Sequence, residues 1–183
     1  MLVADKGIEF DAVFVDLAKG KRMTEALARS IPTEPSGFWN LTMEPRFFDS
    51  NSISNDLDEM FPEPNLMGRT PKELAMVAMR QREADINGLN AVAECFRNSA
   101  KGFKSRALTG AINYEQIPAL ADWGRRRVRH FFAELDRRLD GRKYLAIDRF
   151  SIADIIAFVS VECARAIKEP MPGEAPISND CMI

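Results

Sequence analysis

The chain has 183 residues, 46% of them hydrophobic and 28% charged, a composition suited to one large or two small globular domains with a sizeable core. Basic and acidic side chains nearly balance, 25 against 27, for a formal net charge of -2. That balance excludes a global electrostatic attraction to nucleic acid or to an anionic membrane. The apolar stretches are shorter than a membrane span, and Met1-Leu-Val-Ala meets Asp5 and Lys6 before any signal-peptide core develops. Cys95, Cys163 and Cys181 are odd in number and lack metal-ligand spacing, so a reduced, cytoplasmic protein without a metal is expected.

In chain order, Glu9 to Asp16 alternates Phe10, Ala12 and Phe14 against Asp11 and Val13, the pattern of a strand. Thr24 to Arg29 suggests a short helix, and Pro32 and Pro35 prevent its continuation. Phe38 to Met43 and Arg46 to Phe48 read as two short strands. Asp49 to Met60 reads as a helix with Ile53, Leu57 and Met60 on one face. Residues 1–60 are therefore mixed α and β.

Residues 61–69, with two prolines and a glycine, are the best linker in the chain. Beyond them the pattern is helical to residue 169. Thr70-Pro71-Lys72-Glu73 is a helix start with a capping residue, proline at the first helical position and glutamate three residues after the cap. Leu74, Val77, Ala78, Ile86, Leu89, Val92, Ala93 and Phe96 continue it at helical spacing. A second helix runs from about Glu115 to Leu139, with Leu120, Trp123, Val128, Phe131, Phe132, Leu135 and Leu139 apolar. A third opens at Ser151, where Ser151 and Asp154 form a capping box and Phe150 and Ile155 a hydrophobic staple. From Ile152 to Ile167 this helix is apolar almost all round, as a central buried helix would be. The proline-rich residues 170–183 read as a loose tail.

Several of these segments together resemble the glutathione S-transferase family of bacterial type. The resemblance is closest over Phe61 to Ile167 and rests on Phe61-Pro-Glu-Pro-Asn-Leu-Met-Gly68, Arg97-Asn-Ser-Ala-Lys-Gly-Phe103, Tyr114-Glu-Gln-Ile-Pro118 and Asp148-Arg-Phe-Ser-Ile-Ala-Asp154. It implies an α/β N-terminal part at residues 1–60, an incomplete thioredoxin-like glutathione-binding domain, followed by an all-α C-terminal domain at 70–169. Met1 to Ile8 resembles the end of the family's first helix, so the strand and loop bearing the activating Ser, Tyr or Cys are absent. Asn40 aligns with the family's cis-proline, a geometry that a residue other than proline rarely adopts. The family's last helix is replaced by Pro170 to Ile183.

The resemblance implies a cytoplasmic, homodimeric transferase that joins the glutathione thiolate to small hydrophobic electrophiles in detoxification, with glutathione as co-substrate. A thiol of pKa ~8.5 must be ionised for that reaction, by a hydrogen bond or a positive field. Arg97, Asn98 and Ser99 lie where the family's first helical-domain helix ends beside the cleft. Asn98 and Ser99 are the catalytic candidates, and Arg97, Asn40, Asp49 and Ser50 the substrate-binding ones. Asp49-Ser50 resembles the acidic residue and serine that bind the γ-glutamyl end of glutathione, at a helix start that favours a carboxylate. Each group has a structural alternative: Arg97 to Ser99 as a helix terminus, Asp49-Ser50 as an N-cap. His130, the sole histidine, has no visible partner for base chemistry, and the arginines from Arg125 to Arg138 read as a solvated face. Cys95 and Cys163 read as core. The other readings are a non-catalytic, truncated homologue acting as a binding or assembly module, and a chain incomplete at both ends.

Overall fold

The computed structural model describes residues 1–9, 50–108 and 112–169. The chain divides into two compact units between Asn65 and Leu66. The expected strands at 38–43 and 46–48, the strand at 9–16 beyond Glu9, the helix at 24–29 and the tail at 170–183 lie outside the described residues. No strand occurs among the residues that are described.

In the first unit, α1 (Leu2–Asp5) is a single turn and α2 (Ser50–Met60) a three-turn helix. Lys6 ties the unit together. Its ammonium donates to Asp58 Oδ1 at 2.6 Å, to the Phe61 carbonyl at 2.7 Å and to the Pro64 carbonyl at 3.1 Å. The Lys6 side chain is wholly buried, and three acceptors match the three donors of an ammonium group. The start of the expected linker is therefore held by a buried cation that its composition does not reveal.

The second unit is an all-α domain. A continuous helical stretch comprises α3 (Pro71–Ala84), a π-helical turn (Asp85–Leu89) and α4 (Asn90–Ser99). Thr70 caps α3 as its sequence predicts: its Oγ1 accepts from the Glu73 N–H at 3.2 Å, while Glu73 Oε2 reaches back to the Arg69 N–H at 2.8 Å. The π turn contains Asn87-Gly88, and Gly88 packs so closely on Phe131 and Ser160 that a Cβ would lie 2.6 Å from the Phe131 ring. The expected apolar face is accordingly redrawn. Val77, Ala84, Ala91, Val92 and Cys95 are buried, whereas Leu74 and Ile86 are exposed.

α5 (Pro118–Leu139) lies against α4 through Gly124, where an added Cβ would meet the Ala91 carbonyl oxygen at 2.7 Å. Its core face is Ala121, Val128, Phe131, Phe132 and Leu135, with Trp123 left 54% exposed. α6 (Ile152–Ala164) packs on α3 and the π turn, and a 3-10 turn (Arg165–Ile167) ends it.

The capping box at Ser151 is present. Asp154 Oδ2 accepts both the Ser151 N–H, at 2.9 Å, and the Ser151 hydroxyl, at 2.8 Å. Its other oxygen takes the Leu145 N–H at 2.8 Å. One expectation for this helix needs correction. Phe158 and Cys163 are exposed, so α6 is buried on one side and open on the other. Phe150 is 38% exposed and meets the ring of Tyr144 edge-on, at 6.4 Å between centroids.

The arginines of α5 are more than a solvated face. Arg127 bonds Glu94 at 3.0 Å and the Ile86 carbonyl at 2.6 Å, and Arg125 holds the Ile167 carbonyl at 2.7 Å. Arg129 pairs with Glu169, whose carboxyl these arginines hold below the usual range. They tie α5 to the π turn, to α4 and to the segment after α6.

Candidate functional site

The C-terminal end of α4 brings Arg97, Asn98 and Ser99 to the junction with α5. α4 stops because Ala100 turns extended, at φ -76 and ψ 128, and a 3-10 turn at Lys101–Phe103 follows. Phe103 folds back with its ring edge-on to Phe96 at 5.3 Å, and the Arg97 guanidinium lies 5.2 Å from the centroid of the same ring. A cation over an aromatic face is held by the ring quadrupole, which fixes where the charge sits.

Asn98 is buried, and both ends of its amide are engaged. Nδ2 donates to the Glu94 carbonyl at 2.8 Å, and Oδ1 accepts from the Ile117 N–H at 2.8 Å. Ile117 is the residue before α5, so Asn98 receives a donor from the α5 N-terminus, where the first-turn N–H groups have no i−4 partner in the helix. Ser99 is exposed and its hydroxyl donates to the Cys95 carbonyl at 2.8 Å. Gln116 closes the junction, its amide donating to the Arg97 carbonyl at 2.7 Å and the Ala100 carbonyl at 2.8 Å. Below this junction Cys95 is fully buried, and burial pushes its thiol up, against a smaller downward pull from Arg125.

Gln116, Ile117 and Phe103 are members of this junction that were not read as site residues. The segments Arg97–Phe103 and Tyr114–Pro118, each distinctive by itself, carried the signal that they meet. In the first unit, Ser50 is the exposed first residue of α2, and its carbonyl accepts the Ser54 hydroxyl at 2.6 Å. The first turn of α2 has no acidic side chain, so nothing in it neutralises the partial positive charge of a helix N-terminus. Asn40 and Asp49 lie outside the described residues.

Among the described residues no cluster of three or more His, Cys, Asp or Glu side chains is placed to hold a metal ion. No described helix is long and apolar enough to cross a membrane.

These features converge with what the chain is similar to. Residues 93–177 match the family model for the glutathione S-transferase C-terminal domain. Over 129 residues the chain is 26% identical to glutathione S-transferase 2 of Saccharomyces cerevisiae; the match covers 69% of this chain and 52% of that protein. The chain thus spans about half the length of that curated relative. The crystal structure of a glutathione S-transferase domain-containing protein from Marinobacter aquaeolei superposes with a TM-score of 0.75 at 27% identity, covering 94% of this chain and 83% of that one. A glutathione transferase from Phanerochaete chrysosporium, in complex with oxidized glutathione, shares the fold with a TM-score of 0.65 at 14% identity, over 90% of this chain and 71% of that one. The second unit has the fold of a glutathione transferase helical domain, and over residues 93–177 the chain carries a glutathione S-transferase C-terminal domain.

Proposed function

We propose that this protein binds glutathione and transfers its thiolate to small hydrophobic electrophiles, as a cytoplasmic, homodimeric detoxification enzyme. The observation that carries this reading is the glutathione S-transferase C-terminal domain at residues 93–177, in a chain that also resembles glutathione S-transferase 2 of yeast. Binding of glutathione by a protein of the same fold supports the choice of co-substrate.

In this reading the N-terminus of α2, with Asp49 and Ser50, takes the γ-glutamyl end of glutathione, and Asn40 contributes a contact to its backbone. Helix N-termini favour carboxylates through their N–H groups and dipole. Arg97 supplies the positive field that keeps the thiol ionised, because a fixed cation stabilises the thiolate over the thiol. Ser99, exposed beside it, donates its hydroxyl to the sulfur by turning away from the Cys95 carbonyl. Asn98 acts as a positioning residue through its bonds to Glu94 and Ile117.

Titration calorimetry with reduced glutathione tests the binding step, and an absence of heat at millimolar ligand would overturn the reading. Steady-state conjugation of an aromatic halide tests the transfer step. Binding without turnover would leave a glutathione-binding protein and remove the transferase.

A further inference from the structure

We propose that residues 165–169 form a strap over the buried Cys95, which opens while the helical domain stays folded and is held closed by a clasp of Glu169 on Arg125 and Arg129. α6 ends at Ala164, the 3-10 turn Arg165–Ile167 lies against α4, and Lys168 then turns left-handed at φ 58 and ψ 37. A side chain disfavours that backbone conformation, so Lys168 works against the closed form. Only two backbone bonds close the strap, from the Lys168 N–H to the Arg165 carbonyl at 3.0 Å and from the Glu169 N–H to the Ala164 carbonyl at 3.2 Å.

The fastening comes from α5, not from the helix the strap leaves. The Glu169 carboxylate accepts from Arg129 at 2.6 and 3.0 Å, and its Oε1 also from Arg125 at 3.2 Å. Arg125 donates in addition to the Ile167 carbonyl at 2.7 Å. Charge-assisted, two-pronged bonds of this kind are strong, but Arg129 is 62% exposed and water competes for it. Ile167 is the buried side chain of the strap, in one core cluster with Cys95 and Ala164. Burial holds the Cys95 thiol protonated, and the Glu169 charge adds to that effect while Arg125 opposes it. Lifting Ile167 admits water, carries Glu169 away and leaves Arg125 on α5. Each change favours the thiolate, so opening turns an inert thiol into a reactive one.

Alkylation by iodoacetamide, read as the mass gain of the peptide carrying Cys95, reports the open form. The sulfur–carbon bond forms as iodide leaves, and the thiol proton passes to buffer. Cys163 is exposed, should react early in every variant, and calibrates the reagent. A local opening uncovers little surface, so the Cys95 rate should stay nearly level at urea concentrations below the unfolding transition. Glu169→Gln keeps the shape, removes the charge, and should speed Cys95 labelling at least about tenfold with that level dependence retained. Arg129→Met, at an exposed side chain, should speed it about threefold or more and is read in place of Glu169→Gln if that variant does not fold. A Cys95 rate that climbs with urea as steeply as global unfolding, from zero denaturant upward, would overturn the strap. A Cys95 rate unmoved relative to Cys163 in the folded variant would overturn the clasp, and the proposal with it.

Discussion

Glu73 and Arg149, 76 positions apart in the chain, meet as a bidentate ion pair, Nη2 to Oε2 at 2.7 Å and Nη1 to Oε1 at 3.2 Å. The same carboxylate accepts the Arg69 N–H at the start of α3, so one side chain joins that helix start to the loop before α6. The Arg149 guanidinium and the backbone donor together hold the Glu73 carboxyl down to about 2, from its ordinary 4.5.

A group depressed in the folded state stabilises above its unfolded pKa and loses that contribution as pH falls through the folded value. For Glu73 the loss should run from about pH 4.5 to about 2. Glu73→Gln should flatten the fall in thermal midpoint across that window and lower the midpoint at neutral pH. Parallel melting curves for the two proteins, with equal acid slopes, would assign the acid sensitivity to other groups.

Asp154 makes a prediction of magnitude. A cap alone is worth roughly 0.5–2 kcal/mol, but this carboxylate also satisfies the N–H of Leu145, itself buried. Leaving that donor unmet adds about 1–3 kcal/mol, so Asp154→Ala should cost about 1.5–5 kcal/mol in urea unfolding. Thr70→Ala, at an exposed cap of the ordinary kind, should cost about 1 kcal/mol or less. Equal losses for the two would mean that the Leu145 bond adds nothing.

Both caps were legible in the sequence, and for one reason: a capping box is written within four residues. The helices were legible too, because their apolar spacing is local. What carries the domain beyond them is not local. Lys6 meets carbonyls more than fifty positions away, and Arg127 reaches Ile86 and Glu94 from α5. No spacing rule distinguishes such side chains from surface charges. The sequence likewise placed Ile86 on the apolar face, since a continuous α-helical repeat takes no account of the π turn at Asp85–Leu89. Of the site, Arg97 to Ser99 were found as a motif. Their hydrogen-bond partners were hidden, because Gln116 and Ile117 lie on the far side of the intervening loop.

Gly124 tests how closely α4 and α5 approach. Alanine favours a helix over glycine by about 1 kcal/mol, so a loose contact would make Gly124→Ala stabilising. Here the added Cβ would sit 2.7 Å from the Ala91 carbonyl oxygen and 2.8 Å from the Cys95 nitrogen, both backbone atoms of α4. Neither can move without shifting the helix. The substitution should therefore destabilise by about 1–3 kcal/mol, while Gly102→Ala, with nothing within 4 Å of its Cβ, should be nearly neutral. A rise in unfolding midpoint for Gly124→Ala would show that the two helices have room to part.

Asn98 separates positioning from contact with the sulfur. With both ends of its amide bonded to backbone, Asn98→Ala strands the Ile117 N–H and should cost about 1–3 kcal/mol of stability. Asn98→Asp keeps the acceptor for Ile117 and loses the donor to Glu94. If Asn98 acts only by holding the start of α5, the pKa of glutathione bound to a folded Asn98→Asp protein should stay within a few tenths of the parent's. Were the side chain against the sulfur, a carboxylate there would raise that pKa by about a unit or more, through like-charge repulsion. The ultraviolet absorbance of the thiolate, followed against pH in the bound complex, reads the difference directly. Arg97→Met should raise the same pKa while leaving the Asn98 bonds in place, because the charge over Phe103 is the source of the field in the proposed mechanism.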